Sequence, residues 1–242
     1  MGIQYSFKRY EKKFLLTARQ YDEILPRLTE RLRSDKYGLH TICNIYYDTE
    51  NFDLIRNSVE RPVYKEKFRL RSYGIPDDDS VVFAEIKKKF DGVVYKRRVD
   101  GNPSEILDFV SEGSFLDRDK QIQREIQWFL QVNEPIPKVF IGYDRVAFHG
   151  TEEDRELRVT LDRNIRWRTD RLDLRMGDEG KPILSEDMIV MEIKTPAAIP
   201  LWLVKLLGEN EIYPASFSKY GTCYQKHILP DIFQKGSFSY VK

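Results

Sequence analysis

Cysteine, histidine and net charge are all scarce in this 242-residue chain. Two cysteines, Cys43 and Cys223, are too few for a disulfide framework and lack zinc-site spacing. They read as buried thiols in a reducing compartment, with a single bridge as the alternative. His40, His149 and His227 are scattered without metal-ligand spacing. No apolar run is long enough to cross a bilayer, and the first residues carry no signal-peptide pattern, so a soluble, cytoplasmic protein is expected. Lys and Arg total 40 against 39 Asp and Glu, a net charge of +1. A nucleic-acid-binding surface is ordinarily more basic, and no nucleic-acid motif is present. There is no low-complexity segment and no linker, so the chain reads as one domain over 1–242.

What the chain has in quantity is charge of both signs, 33% of residues, concentrated in a pattern. From Tyr64 the sequence runs YKEKFRLRSYG, and after a polar gap VVFAEIKKKFDGVVYKRR to Arg98. Residues two apart on a strand share a face. Lys65, Lys67, Arg69 and Arg71 therefore line one side of the first strand, with Phe68 and Leu70 on the other. In the second strand Glu85, Lys87 and Lys89 oppose Ala84 and Ile86; after the Asp91-Gly92 turn, Lys96 and Arg98 share a face in the third. Lys65, Lys89 and Arg97 read as rim or outer-surface charges.

Further strands are expected at Phe7–Leu16, Thr41–Asp48, Lys138–Phe148, Glu156–Trp167 and Met188–Thr195. In the Glu156 strand Arg158, Thr160 and Asp162 share one face, and Leu157, Val159 and Leu161 the other. Helices are expected over Ala18–Leu32, with Thr17 as N-cap and Pro26 as a kink, and over Glu50–Ser58, Pro103–Ser111 and Lys120–Gln131. Two more are expected over Pro200–Gly208, capped by Gly208, and in the Ser216–Ile228 tail. Tyr46, Tyr47 and Trp167 read as packing residues. About eight strands with inserted helices describe an antiparallel barrel-like sheet decorated by helices, of α+β class.

Three strands carry the unit Glu-x-Lys: Glu11-Lys13, Glu85-Lys87 and Glu192-Lys194. Arg145 and Arg158 add single arginines on two others. A single such unit is no more than a solvated ion pair. Repeated on several strands, the units suggest a sheet with its charged faces inward and its apolar faces covered by helices. Enclosing so many cations is costly unless acids interleave with them or an anion joins them. Phosphate suits the planar fork of Arg and the point charge of Lys. The acids suit a divalent cation bridging to that phosphate.

The segments RYEKKF, IYYDT, KFRLRSYG, EIKKKFDGVVYKRR, YDRVAF, LRVTLD, MEIKTP and FSKYGT occur in the order of the VTC domain of polyphosphate polymerases. The chain resembles that domain from about Tyr10 to Tyr224, and so the triphosphate tunnel metalloenzyme superfamily that includes the CYTH proteins. The resemblance implies a closed eight-stranded antiparallel barrel with helices packed outside, binding triphosphate in its tunnel. It implies transfer of the γ-phosphate of ATP to a growing polyphosphate chain with Mn²⁺ or Mg²⁺, releasing ADP. A tripolyphosphate or nucleoside triphosphate hydrolase of the same fold, or a non-catalytic polyphosphate or nucleotide sensor, is the alternative.

The catalytic residues expected on this basis are Arg69, Arg71, Lys87 and Lys194. Phosphate contacts are expected from Lys13, Lys67, Lys96, Arg98, Arg145, Arg158 and Lys219, and metal ligation from Glu192, Glu11 and Glu85. Two positions depart from the pattern. Ser216 stands where eukaryotic members carry a second lysine, three residues before Lys219. Arg9 replaces the first acid of the Glu-x-Glu-x-Lys found in other tunnel enzymes, which favours phosphate over a second metal. The length leaves no room for the regulatory SPX domain or membrane helices of eukaryotic members, implying a free-standing form.

Overall fold

The computed structural model describes residues 10–91, 93–116 and 120–234, without the side chain of Glu153. Phe7 to Arg9 and Gly92, which figure in the sequence reading, lie outside them. The strands are β1 (Tyr10–Thr17), β2 (Leu32–Ser34), β3 (His40–Asp48), β4 (Tyr64–Tyr73), β5 (Val82–Phe90), β6 (Val93–Gly101), β7 (Ile136–Gly150), β8 (Arg158–Arg168), β9 (Lys181–Pro182) and β10 (Met188–Thr195). The helices are α1 (Ala18–Arg31), α2 (Asp53–Val59), α3 (Pro103–Ser111), α4 (Lys120–Asn133), α5 (Leu201–Glu209), α6 (Lys219–Cys223) and α7 (Leu229–Gln234). A π-helical turn, Tyr224–Ile228, joins the last two.

The chain forms two compact units, which we describe separately. The first comprises the described parts of Met1–Thr41, Tyr143–Ile165 and Leu184–Phe217; the second those of Ile42–Gly142, Arg166–Ile183 and Ser218–Lys242. The long strands β7 and β8 contribute to both.

In the first unit the hydrogen-bonded order is β1-β10-β8-β7, with β2 also on β7. Helix α1 starts where Thr17 accepts a hydrogen bond from the Gln20 N–H and Gln20 Oε1 accepts one from the Thr17 N–H, a closed capping box. Pro26 does not interrupt it; the helix ends at Leu32, which turns extended and starts β2. Ile24 and Leu28 of α1 and Leu203, Leu206 and Leu207 of α5 bury against Phe14, Leu16, Val159, Leu161, Met191 and Ile193 of the strands. Each such aliphatic side chain contributes roughly 1.5–3 kcal/mol by leaving water. Gly208 lies inside α5 rather than capping it, and Asn210 ends the helix.

In the second unit the order is β7-β3-β4-β5-β6, with β9 on β8. Asn102 caps α3 in a second capping box with Glu105, and Pro103 occupies the first turn, where no N–H is needed. Ile106 and Phe109 of α3 and Ile126 and Phe129 of α4 bury against Ile45, Phe68, Leu70, Ala84, Ile86 and Val99. Both units therefore follow the alternation read in the sequence, apolar side chains facing helices and charged ones facing away from them. Cys43 and Cys223 are buried free thiols.

The closed eight-stranded barrel is not formed. The main pairing path runs from β1 to β6, two ends that do not pair with each other among the described residues, and β2 and β9 pair off this path. Within its own unit the outer edge of β1 is already taken. The Ala215 N–H donates to the Lys13 carbonyl at 2.7 Å, and Phe14 bridges to Pro214. At Lys13 and Phe14 the edge is therefore covered by segment 214–215 rather than left open for another strand. Substituting Ala215→Pro removes that donor, and a loss of about 1–3 kcal/mol in the free energy of urea unfolding is expected. Unchanged unfolding would show that solvent serves the edge equally well.

Candidate functional site

Most of the expected site residues fall on two charged sheet faces, one in each unit. In the second unit the face is built by β3, β4, β5 and β6, whose register places Tyr46, Arg69, Glu85 and Arg98 in one row. Asn44, Arg71 and Phe83 form the row on one side of it, and Lys67, Lys87 and Lys96 the row on the other. Opposed residues of an antiparallel pair share a face with Cβ atoms about 4.5–5.5 Å apart, so three lysines in line repel one another.

Glu85 holds this face together. It is only 1% exposed. Arg69 donates to its Oε2 from Nε at 2.9 Å and Nη2 at 2.7 Å, the Arg71 Nε lies 3.7 Å away, and the Lys96 Nζ is 2.5 Å from Oε1. Burial alone would raise the Glu85 carboxyl, but Arg69, Arg71 and Lys96 outweigh it and hold it well below the usual carboxylate range. Burial pushes the Lys96 ammonium down to about 7; Glu85 opposes this, while Arg69 and Arg71 add to it. At the rim Lys65 donates to the Ser58 carbonyl at 2.9 Å and is lowered by burial, then by Lys89 and Arg61. The guanidiniums are also braced by neutral groups: Arg69 Nη1 donates to the Tyr46 hydroxyl at 3.0 Å and Arg71 Nε to Asn44 Oδ1 at 2.9 Å. Arg98 lies over the Phe83 ring at 4.5 Å. Arg97 points the other way, to Glu125 of α4 at 3.7 Å.

The C-terminal segment is tied to the same unit by a buried carboxylate. Asp48 accepts from the N–H groups of Thr49, Leu54 and Ile55 at the start of α2, and from the Tyr220 hydroxyl at 2.9 Å. Burial raises the Asp48 carboxyl despite these bonds. Tyr220 also stacks on Tyr46 with ring centroids 4.8 Å apart. Lys219 begins α6, next to its cap Ser218, whose hydroxyl accepts from Lys67 Nζ at 3.1 Å.

In the first unit β1, β10 and β8 set two rows, Glu11–Lys194–Arg158 and Lys13–Glu192–Thr160. Signs alternate along and across the β1 and β10 members of the rows, while Arg158 repeats the sign of Lys194 and Thr160 is neutral. Lys13 lies 3.4 Å from Glu11, and Lys194 lies 3.3 Å from Glu192 and 4.0 Å from Glu11. Lys13 also donates to the Phe217 carbonyl at 3.1 Å. Arg145 of β7 grips the fully buried Asp162 through Nε at 2.6 Å and Nη2 at 2.8 Å. Burial opposes the Arg145 charge; Tyr143, Asp162 and Glu192 override it and raise the guanidinium further. Arg158 is exposed, with no ion pair among the described residues.

The three expected metal ligands are not equivalent. Glu11 and Glu192 are neighbours on one face, with Lys194 in contact with both. Glu85 is enclosed by two arginines and a lysine, whose counter-ion it is. No three His, Cys, Asp or Glu side chains among the described residues form a metal-holding group. Two carboxylates still fit a hard divalent cation that takes its remaining oxygens from water and phosphate.

Several partners were not singled out in advance. Tyr46 reads as a packing residue, yet its hydroxyl serves Arg69; Asn44, Tyr46 and Asp48 alternate on one face of β3, a period-2 signal present in HTICNIYYD. Tyr47 and Trp167 are buried, the latter stacked on His227. The Asp162–Arg145 and Tyr220–Asp48 pairings have no local signature.

A family model described as the VTC domain matches residues 8–228. The chain belongs to the VTC domain family. A candidate adenylate cyclase from Bacillus halodurans has a similar structure, with TM-score 0.54 and 12% identity over 86% of this VTC domain and 92% of that chain. A candidate adenylyl cyclase from Hippeastrum, described as having a dominant triphosphatase activity, aligns with TM-score 0.49 and 16% identity over 96% of this chain and 98% of that one. No curated protein matches.

Glu85 gives this geometry a measurable signature. Glu85→Gln leaves two arginines and a lysine without their counter-ion, and a loss of roughly 3–5 kcal/mol at pH 7 is expected. Because the folded-state pKa is depressed, the carboxylate's contribution is present above the unfolded value of 4.5 and fades as pH falls below it. Urea unfolding at pH 7, 4 and 3 should therefore show the gap between wild type and variant narrowing with acidity. A constant gap would mean the carboxylate's charge is not what the arginines require.

Proposed function

We propose that this VTC domain is a metal-dependent polyphosphate polymerase, transferring the γ-phosphate of ATP to the end of a polyphosphate chain and releasing ADP. The observation that carries the reading is the cross-strand row Lys67–Lys87–Lys96 beside the arginines Arg69 and Arg71. Like charges in register are unfavourable alone and are relieved by a ligand bearing charge at regular short intervals, as a phosphate chain does. Family membership supports the same chemistry.

Phosphoryl transfer asks little covalent help of a protein; positioning and charge neutralisation supply most of the rate. Arg69 and Arg71, fixed by Glu85, Tyr46 and Asn44, present rigid forks for phosphate oxygens. Lys67, Lys87, Lys96 and Arg98 neutralise along the same face, with Lys219 at the start of α6. Lys13, Lys194, Arg145 and Arg158 do so on the other unit's face. The bond from the γ-phosphorus to the β–γ bridging oxygen breaks, its electron pair leaving with ADP, as an oxygen of the acceptor's terminal phosphate bonds to that phosphorus. Glu192 and Glu11 are the residues that would hold Mn²⁺ or Mg²⁺, and the cation when bound would draw charge from phosphate oxygens.

Purified protein incubated with ATP and Mn²⁺ is expected to yield ADP and long polyphosphate. Free phosphate without polymer would make the protein a hydrolase, and nucleotide binding without turnover a sensor; either result overturns the polymerase. In the same assay Glu192→Gln should raise the cation concentration for half-maximal activity about tenfold or more. An unmoved titration would remove Glu192 from the metal position.

A further inference from the structure

Thr160 is a buried member of the first unit's charged rows, 1% exposed, and its Oγ1 has no hydrogen-bond partner among the described residues. Buried hydroxyls in native proteins are almost always paired, so the atom calls for a partner beyond the chain's own described groups. Its direction is set by its strand: Val159 and Leu161 on either side belong to the hydrophobic core, so Thr160 faces the charged side. There it stands opposite Glu192, with Arg158 and Asp162 two residues away on the same strand face. Both oxygens of Asp162 are engaged by Arg145, and Glu192 is engaged by Lys194.

The missing partner has a definite chemical character. Lys13, Lys194, Arg145 and Arg158 supply N–H donors in plenty, and the nearby acids already have cations. Among the described residues, none of the face's oxygens accepts from the Thr160 hydroxyl. A hydroxyl can donate one O–H to an acceptor oxygen. Valine would fill nearly the same volume and suit a strand as well, so the hydroxyl gains nothing in the ligand-free chain.

We propose that Thr160 Oγ1 donates a hydrogen bond to a phosphate oxygen of the ligand on this face, an assignment that rests on the polyphosphate reading. Thr160 thereby becomes a specificity contact, selecting an anion with an unprotonated oxygen close to Glu192 and Arg158.

The test compares wild type, Thr160→Val and Thr160→Ser by calorimetric titration with tripolyphosphate, with EDTA and again with Mn²⁺, and by urea unfolding without ligand. Thr160→Val is expected to unfold no more easily than wild type, because its removed hydroxyl was unpaired. It is expected to bind tripolyphosphate roughly tenfold more weakly both with and without Mn²⁺, and Thr160→Ser to restore most of that loss. Lower ligand-free stability of Thr160→Val would overturn the proposal by showing an internal partner for the hydroxyl. Unchanged affinity would also overturn it, as would a loss seen only with Mn²⁺, which would place the hydroxyl on metal-bound water. Wild type failing to bind tripolyphosphate at all would instead sink the polyphosphate reading, and this assignment with it.

Discussion

The arrangement of Arg69, Arg71 and Lys96 on the second unit's face depends on the enclosure of Glu85. A carboxylate taken out of water costs several kcal/mol unless strong partners replace the lost hydration, and two arginines with a lysine do so here. The dependence is mutual. Without the acid, Arg69, Arg71 and Lys96 would crowd the same sheet surface without the carboxylate that now stands among them. One buried negative charge thus sets the orientation of three positive ones and leaves the face with an excess of cations. The first unit solves the same problem with alternation, Glu11 and Glu192 checkered against Lys13 and Lys194.

The consequence for chemistry is preorganisation. A guanidinium held at three points on a rigid strand need not reorganise when an anion arrives, and electrostatic stabilisation is largest when its donors are already in place. Strands suit this because period-2 alternation separates the two tasks. Phe68 and Leu70 bind β4 to α3 and α4, while Arg69 and Arg71, one residue along, project from the opposite face. Helices α1 and α5 do the same for β1, β8 and β10. Apolar cover on one side makes a charged surface on the other affordable.

Much of this was legible in the sequence because strand parity is a local property. The paired arginines, the Glu-x-Lys units and the helices that cover the sheet follow from residues within one segment. What could not be read were partnerships across the chain. Glu85 looks identical in sequence to Glu11 and Glu192, each two residues before a lysine, yet its neighbours on β4 and β6 make it a counter-ion. Tyr46 follows the same rule as Asn44 and Asp48, but its hydroxyl acquires a role only when Arg69 is across from it. Closure of the sheet was also beyond local reading. A short non-regular segment, 214–215, occupies the edge of β1, and nothing in the β1 pattern announces that.

The bond between Tyr220 and Asp48 spans 172 positions of the chain. The α6 segment bearing Lys219 is thus held by a carboxylate that precedes it by most of the length of the domain. Chain order separates the two partners: the strands carrying Arg69 and Arg71 leave the ribosome before Tyr220 does, so the anchoring bond forms only after the arginine-bearing sheet has been made.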